Sequence, residues 1–185
     1  MPEKKIRAYI VSGRIIVYDI NSAMELYKNG FYGKYVGVNK PKTPEVERPL
    51  ELSFLEAVYL AEKGLLEVYR SEGEKCSLEE LKEYARKNYE LFDDVYEVYK
   101  DLRDKGYIVR PGLKYGSTFS VYRYGPGIDH APFLVHVMSY KDKLDPLEII
   151  RAGRLSHSVR KKFILATVHP ETRTVKYYVF TWFRA

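Results

Sequence analysis

The sequence predicts an α+β protein of two small domains, on three observations. Helical and strand patterns alternate through the first half of the chain, strand patterns dominate after residue 107, and the change of regime near residue 88 falls in a charged helical stretch. A small N-terminal domain mixing helices and strands is assigned to residues 1–88, and a strand-rich C-terminal domain with flanking helices to residues 89–185. Because no flexible linker separates them, the two are expected to pack rigidly.

The first element is a hairpin. Ile6 to Val11 and Arg14 to Tyr18 are rich in β-formers, and Ser12-Gly13 between them suits a two-residue turn. Asp19 to Ser22 offer side chains that cap free backbone amides, so a short helix follows through Met24, Leu26 and Tyr27 and stops at Gly30. The segment from Val38 to Pro49 holds three prolines with Lys40 and Lys42, and reads as a loop. Ser53-Phe54-Leu55-Glu56 has the spacing of a capping box and opens a helix that ends at Gly64, before the strand-like run Leu65 to Tyr69. Ser77-Leu78-Glu79-Glu80 repeats that signal.

Leu91, Val95, Val98 and Leu102 recur at spacings of one helical face, and Gly106 stops this helix, which opens the second domain. Strands are expected at Tyr107 to Arg110, Phe119 to Arg123, Phe133 to Ser139, Phe163 to His169 and Thr174 to Trp182. One helix interrupts them, with Asp145 as cap, Pro146 in its first turn, Ile149 and Ile150 within it and Gly153 at its end.

Composition narrows the function classes. With 185 residues and 45% hydrophobic content the chain can bury a core, and its net charge of +6 tilts it toward a polyanionic partner. The single cysteine, Cys76, excludes an intramolecular disulfide and a cysteine-rich zinc site, which suits a reducing compartment. No apolar run reaches the length of a secretion signal or a membrane span, so a cytoplasmic protein is expected. Neither Asp93-Asp94 nor the four histidines show metal-ligand spacing, and there is no phosphate-binding glycine loop or nucleophile elbow. No metal or other cofactor is expected. Tyrosine, at 18 copies, supplies rings that pack at interfaces and stack on bases.

Three features carry chemistry. Alternation along Phe119 to Tyr124 places Phe119 and Val121 on one face and Ser120, Tyr122 and Tyr124 on the other, so Tyr122 points outward if the first face is core. His130 lies in a Gly-Pro-Gly-Ile-Asp-His-Ala-Pro loop, where an imidazole can reach a substrate. Arg160-Lys161-Lys162 form a basic cluster just before the strand at Phe163. Taken singly, these residues also fit a surface tyrosine, a solvated histidine and the solvated end of a strand. His136 and His157 compete with His130, and residue types alone do not choose among them.

Together the segments Tyr99 to Tyr107, Gly112 to Tyr122, His130 with Phe133 to Val137, and His157-Ser158-Val159-Arg160-Lys161-Lys162 resemble the archaeal tRNA-splicing endonuclease family. The similarity runs in the family's order through nearly all of residues 90 to 185. The first half matches more loosely, through Leu26-Tyr27 with Gly30, Tyr32-Gly33, and Leu60 to Gly64. The resemblance implies a mixed-sheet nuclease as the C-terminal domain and puts the family's catalytic tyrosine on Tyr122, its histidine on His130 and its lysine on Lys161. His136 drops out, and His157 belongs to the shared motif without being the general acid. Ser120 departs from the pattern, standing where an arginine is common.

The implied reaction is metal-independent cleavage of precursor tRNA at bulge-helix-bulge sites, leaving 2′,3′-cyclic phosphate and 5′-hydroxyl ends. Tyr122 would accept the 2′-hydroxyl proton, His130 protonate the departing 5′-oxygen and Lys161 stabilise the charged transition state. A tyrosine with a pKa of roughly 10 is a weak base at neutral pH, so a nearby cation such as Lys161 is expected to lower it. Arg154 matches an arginine the family uses to sandwich a bulge base. Trp182 is the expected partner, with Lys176 and Arg184 as alternatives, while Lys40 and Lys42 are candidates for phosphate contacts.

Family members work as four-unit assemblies, and self-assembling ones use an acidic loop between the last two strands. Here that loop, His169 to Thr174, holds one carboxylate and one arginine. The expectation is therefore an α2β2 heterotetramer with a separate structural subunit, and a homotetramer is the second choice. Thr174 to Trp182 is the expected strand-pairing interface. Two other classes compete: a noncatalytic RNA-binding or assembly subunit, and a metal-dependent nuclease on a related fold.

Overall fold

In the computed structural model, residues 5–38, 41, 43–71, 73–113, 116–147, 149–150, 153–154 and 161–180 are described. The chain divides into two compact units, Met1–Glu90 and Leu91–Ala185, each with its own mixed sheet.

In the first unit, strands β1 (Ile6–Val11) and β2 (Arg14–Val17) form an antiparallel hairpin, and helix α1 (Ile20–Gly30) follows with the Asp19 carboxylate accepting the Ser22 N–H at 2.9 Å. Gly30 does not supply the left-handed turn that ends this helix. Phe31 does, at φ 52°, while Gly30 remains helical and makes room for the Tyr32 ring, which a Cβ there would meet at 2.3 Å. Two short strands, β3 (Lys34–Tyr35) and β4 (Leu50–Leu52), flank the proline-rich segment and extend the sheet beyond what alternation predicts.

Both capping boxes form, at Ser53 for α2 (Phe54–Glu62) and at Ser77 for α3 (Leu78–Asn88). The Glu56 carboxylate of the first also accepts the Gly33 N–H at 2.9 Å, so one cap holds two elements. Between these helices run β5 (Leu66–Ser71) and β6 (Glu74–Cys76). The sheet order is β3-β4-β2-β1-β5-β6, with β1 and β5 parallel and the other pairs antiparallel.

The second unit opens with α4 (Phe92–Asp104). Val95, Val98 and Leu102 are buried as their spacing predicts, but Leu91 is the left-handed N-cap residue and is 44% exposed. The helix lies against a five-stranded sheet of order β11-β10-β9-β8-β7, comprising β7 (Ile108–Pro111), β8 (Phe119–Tyr122), β9 (Phe133–Val137), β10 (Lys162–Val168) and β11 (Val175–Phe180). Only β9 and β10 are parallel. The two-domain α+β architecture read from the sequence is thus the one observed.

Each face of the second sheet has its own packing. Toward α4, Phe119 meets the Tyr99 ring at 6.0 Å and Tyr177 donates from its hydroxyl to Asp101 at 2.6 Å; an apolar cavity of about 220 Å³ lies here, lined by residues including Leu102, Tyr107, Val121 and Phe133. On the opposite face Leu134, Phe163 and Leu165 are buried together, with Met138 and Phe180 packed against them. Ser120 is on this second face and is buried, so the face that alternation assigns to solvent is itself largely core.

Burial, and then the bond to the Asp101 carboxylate, push the Tyr177 hydroxyl well above the usual tyrosine range. A raised folded-state pKa favours the protonated phenol in the native protein. Its contribution is whole below the unfolded value of roughly 10 and is lost as pH rises beyond it, where the unfolded chain releases a proton that the folded chain retains. The melting temperature is therefore expected to fall above about pH 10 more steeply in the native sequence than in Tyr177→Phe, in thermal melts followed by circular dichroism. Parallel curves would refute the assignment.

Candidate active site

Strand register assembles the site. Val121 opposes Phe133 and Phe133 opposes Lys162 across three neighbouring strands. One step further along, Tyr122 ends β8, Pro132 leads into β9 and Lys161 leads into β10, so all three positions lie at the same end of the sheet. The ladder continues through this step, because the Lys162 N–H donates to the Pro132 carbonyl at 2.9 Å. By alternation Tyr122 and Lys161 share the face of Ser120 and Phe163, opposite α4 and its cavity.

The loop between β8 and β9 brings His130 to this end. The chain leaves Tyr122 and reverses over Gly125-Pro126-Gly127, where Gly125 and Gly127 take φ values of 130° and 86°. Asp129 closes the reversal with its carboxylate: Oδ2 accepts the Arg123 N–H at 3.0 Å, and Oδ1 accepts those of Gly125 at 2.8 Å and Tyr124 at 3.4 Å. His130 follows directly and is exposed, whereas Tyr122 is half-buried. On its far side the Lys161 ammonium donates to the Ala131 carbonyl at 2.5 Å. The three sequence candidates thus belong to one ladder end and one loop, and that bond ties Lys161 to the loop.

Electrostatics at this end favour an anion. Arg123 in the loop, and Lys161 and Lys162 where β10 begins, put three cations at this sheet end, and the loop's one carboxylate, Asp129, is turned to backbone amides. Among the described residues no three His, Cys, Asp or Glu side chains cluster so as to hold a metal ion.

The turn from β7 to β8, within the Gly112 to Tyr122 motif, is tightly closed. The Gly112 N–H donates to the Thr118 carbonyl at 3.0 Å, and a Cβ at Gly112 would stand 2.3 Å from the Ser117 hydroxyl. Thr118 in turn accepts the Val137 N–H at 3.0 Å, tying this turn to the end of β9.

The remaining candidates are placed unevenly. The helix capped by Asp145 begins at 146, with the Leu147 N–H donating to Asp145 Oδ1 at 2.9 Å, and Arg154 stands exposed on helical backbone at 153–154. Lys176 is exposed on β11, and His136 is half-buried on β9 opposite Leu165. Trp182, Arg184, Lys40, Lys42 and His157 lie outside the described residues. Asp129 and Thr118 were not singled out from sequence. An aspartate closing a Gly-Pro-Gly-Ile-Asp run is a turn-forming signal that points to the first; nothing in the local pattern marks the second.

Comparison with known proteins bears on both units. The family model described as tRNA intron endonuclease, catalytic C-terminal domain, matches residues 92–177, and the one described as tRNA intron endonuclease, N-terminal domain, matches residues 6–82. A tRNA-splicing endonuclease of Hyperthermus butylicus is 51% identical over 177 residues, covering 96% of this chain and 98% of the relative. Proteins of the same description from Saccharolobus islandicus and Saccharolobus solfataricus are 45% and 42% identical over 178 residues, with the same coverage.

Proposed function

This chain belongs to the tRNA-splicing endonuclease family, and on that premise we propose that it is the catalytic subunit of an RNA endonuclease that excises introns from precursor tRNA. The substrate site is a bulge-helix-bulge, and the reaction is an internal transesterification. Tyr122 takes the proton from the 2′-hydroxyl, whose oxygen attacks the adjacent phosphorus. The bond from phosphorus to the 5′-oxygen breaks, His130 donates a proton to that oxygen, and Lys161 offsets the charge that builds on the phosphoryl oxygens. The products are a 2′,3′-cyclic phosphate and a 5′-hydroxyl end, and the chemistry draws on no metal.

The observation that carries this reading is the Lys161 bond to Ala131, which links the cation to the backbone next to His130 at the sheet end where Tyr122 emerges. Exposed Arg154 is available for stacking against an unpaired base, and Trp182 is proposed as its partner. Lys40 and Lys42 are assigned phosphate contacts.

The proposed assembly is an α2β2 heterotetramer with a structural subunit. The turn between β10 and β11 supports it, since Arg173 donates to Asp94 Oδ1 at 2.8 Å and to the Asp93 carbonyl at 3.0 Å, leaving Glu171 as the turn's one carboxylate. Such a turn is a poor acidic insert for a second copy. No described helix is long and apolar enough to cross a membrane, and a cytoplasmic location is proposed.

The test is incubation with a bulge-helix-bulge RNA in excess chelator, with and without the candidate structural subunit, followed by end-group analysis. Cleavage to cyclic phosphate that requires the partner is the expected result. Activity of the chain alone would favour the homotetramer, and cleavage only after a divalent metal is restored would reject the triad.

A further inference from the structure

We infer that Asp129 is a positioning residue of this site, whose carboxylate sets where the His130 imidazole stands relative to the Tyr122 phenol. The inference rests on the roles proposed above for those two residues. Residues 123–129 separate them, and a loop that includes Gly125 and Gly127 has wide conformational freedom unless something closes it. Asp129 supplies that closure.

Its two oxygens accept three backbone N–H groups, from Arg123, Tyr124 and Gly125, while the Gly125 carbonyl accepts the N–H groups of Ile128 and Asp129, each at 3.1 Å. Gly125 and Asp129 are therefore locked to one another through both side chain and backbone. The first N–H in the clamp belongs to the residue directly after Tyr122, and the clamp itself is the residue directly before His130. Little slack remains on either side. Beyond His130, the Ala131 carbonyl is held by Lys161, so the histidine is fixed between two anchored neighbours.

The residue type suits the task. An ionised carboxylate is acceptor-only with room for several donors, and its bonds to N–H groups are charge-assisted. Asparagine presents one acceptor oxygen, and serine or threonine a single hydroxyl. Because both oxygens of Asp129 face backbone amides, its influence on cleavage passes through the placement of His130. A displacement of about 1 Å at a reacting group costs on the order of 100-fold in rate.

The experiment is single-turnover cleavage by the active assembly carrying Asp129→Ala, Asp129→Asn, His130→Ala, or Asp129→Ala with His130→Ala. Asp129→Ala is expected to lower the rate about 100-fold with substrate affinity little changed. Asp129→Asn, which keeps an acceptor for Gly125 but turns an amide NH2 toward the Arg123 N–H, is expected to recover only part of that loss. The double variant is expected to be no slower than His130→Ala, since a residue acting through the imidazole has nothing to position once it is gone. An Asp129→Ala rate near the native one, with His130→Ala inactive, would overturn this inference and leave the proposed function standing. Additive losses in the double variant would overturn it as well. A fully active His130→Ala would remove the general-acid role itself, and this inference with it.

Discussion

His130→Ala is expected to lower the single-turnover cleavage rate by roughly 100- to 10,000-fold, the usual span for loss of a positioned general acid. The 5′-oxygen leaves as a strongly basic alkoxide unless a proton reaches it as the bond breaks, and imidazole is the side chain most often used as such a donor. His130 is exposed on a loop whose shape is set by its neighbours, so truncation removes the proton donor without opening a cavity. Stability should then stay within about 0.5 kcal/mol of the native chain. The chemical signature matters as much as the rate: residual product should still carry the cyclic phosphate, because the attacking 2′-oxygen is unaffected. Native-rate cleavage by His130→Ala beside a crippled His157→Ala would transfer the acid role to His157.

Lys161→Met carries the second large effect, an expected loss of about 100- to 1,000-fold in the same assay, comparable to removing one preorganised donor from an oxyanion site. Two losses combine in it. The positive charge beside the pentacoordinate phosphate disappears, and the Ala131 carbonyl loses the N–H that holds it at 2.5 Å. Lys161→Arg separates them. A guanidinium keeps the charge but presents it as a planar fork in place of a compact ammonium, so the bond to the carbonyl and the distance to phosphate cannot both be preserved. An intermediate rate is expected. A Lys161→Arg variant as slow as Lys161→Met would mean that position dominates over charge, and a Lys161→Met variant cutting at the native rate would remove the lysine from the mechanism.

Much of the secondary structure is local and is therefore legible from residue order. The capping boxes at Ser53 and Ser77 need only neighbouring side chains and amides, and both form. The Ser12-Gly13 hairpin and the helix start at Asp145 are equally local. Errors appear where a contact distant in sequence, or a backbone choice invisible to spacing, decides the outcome. Leu91 continues the apolar period of α4, yet the chain turns left-handed there and the residue is exposed. Strands β3 and β4 are two and three residues long and exist because a sheet edge pairs with them, a cause no local pattern contains.

The candidate site divides along the same line. The sequence by itself determined its chemical content, a tyrosine, a histidine and a lysine in motifs ordered as in the family, together with the two-domain α+β class. Only the tertiary structure decided that Tyr122 and Lys161 share one end and one face of a sheet, because this depends on the register of three strands whose residues are far apart in the chain. It also decided that Ser120, outward by alternation, is buried, on the sheet face where Leu134 and Phe163 form a core. And it showed which backbone amides the Asp129 carboxylate holds, where the sequence offers only a turn-forming aspartate. Residue identity sets which reactions are available to a chain. Long-range hydrogen bonding and packing, whose free energy is realised only once the whole sheet has formed, set which of those residues meet.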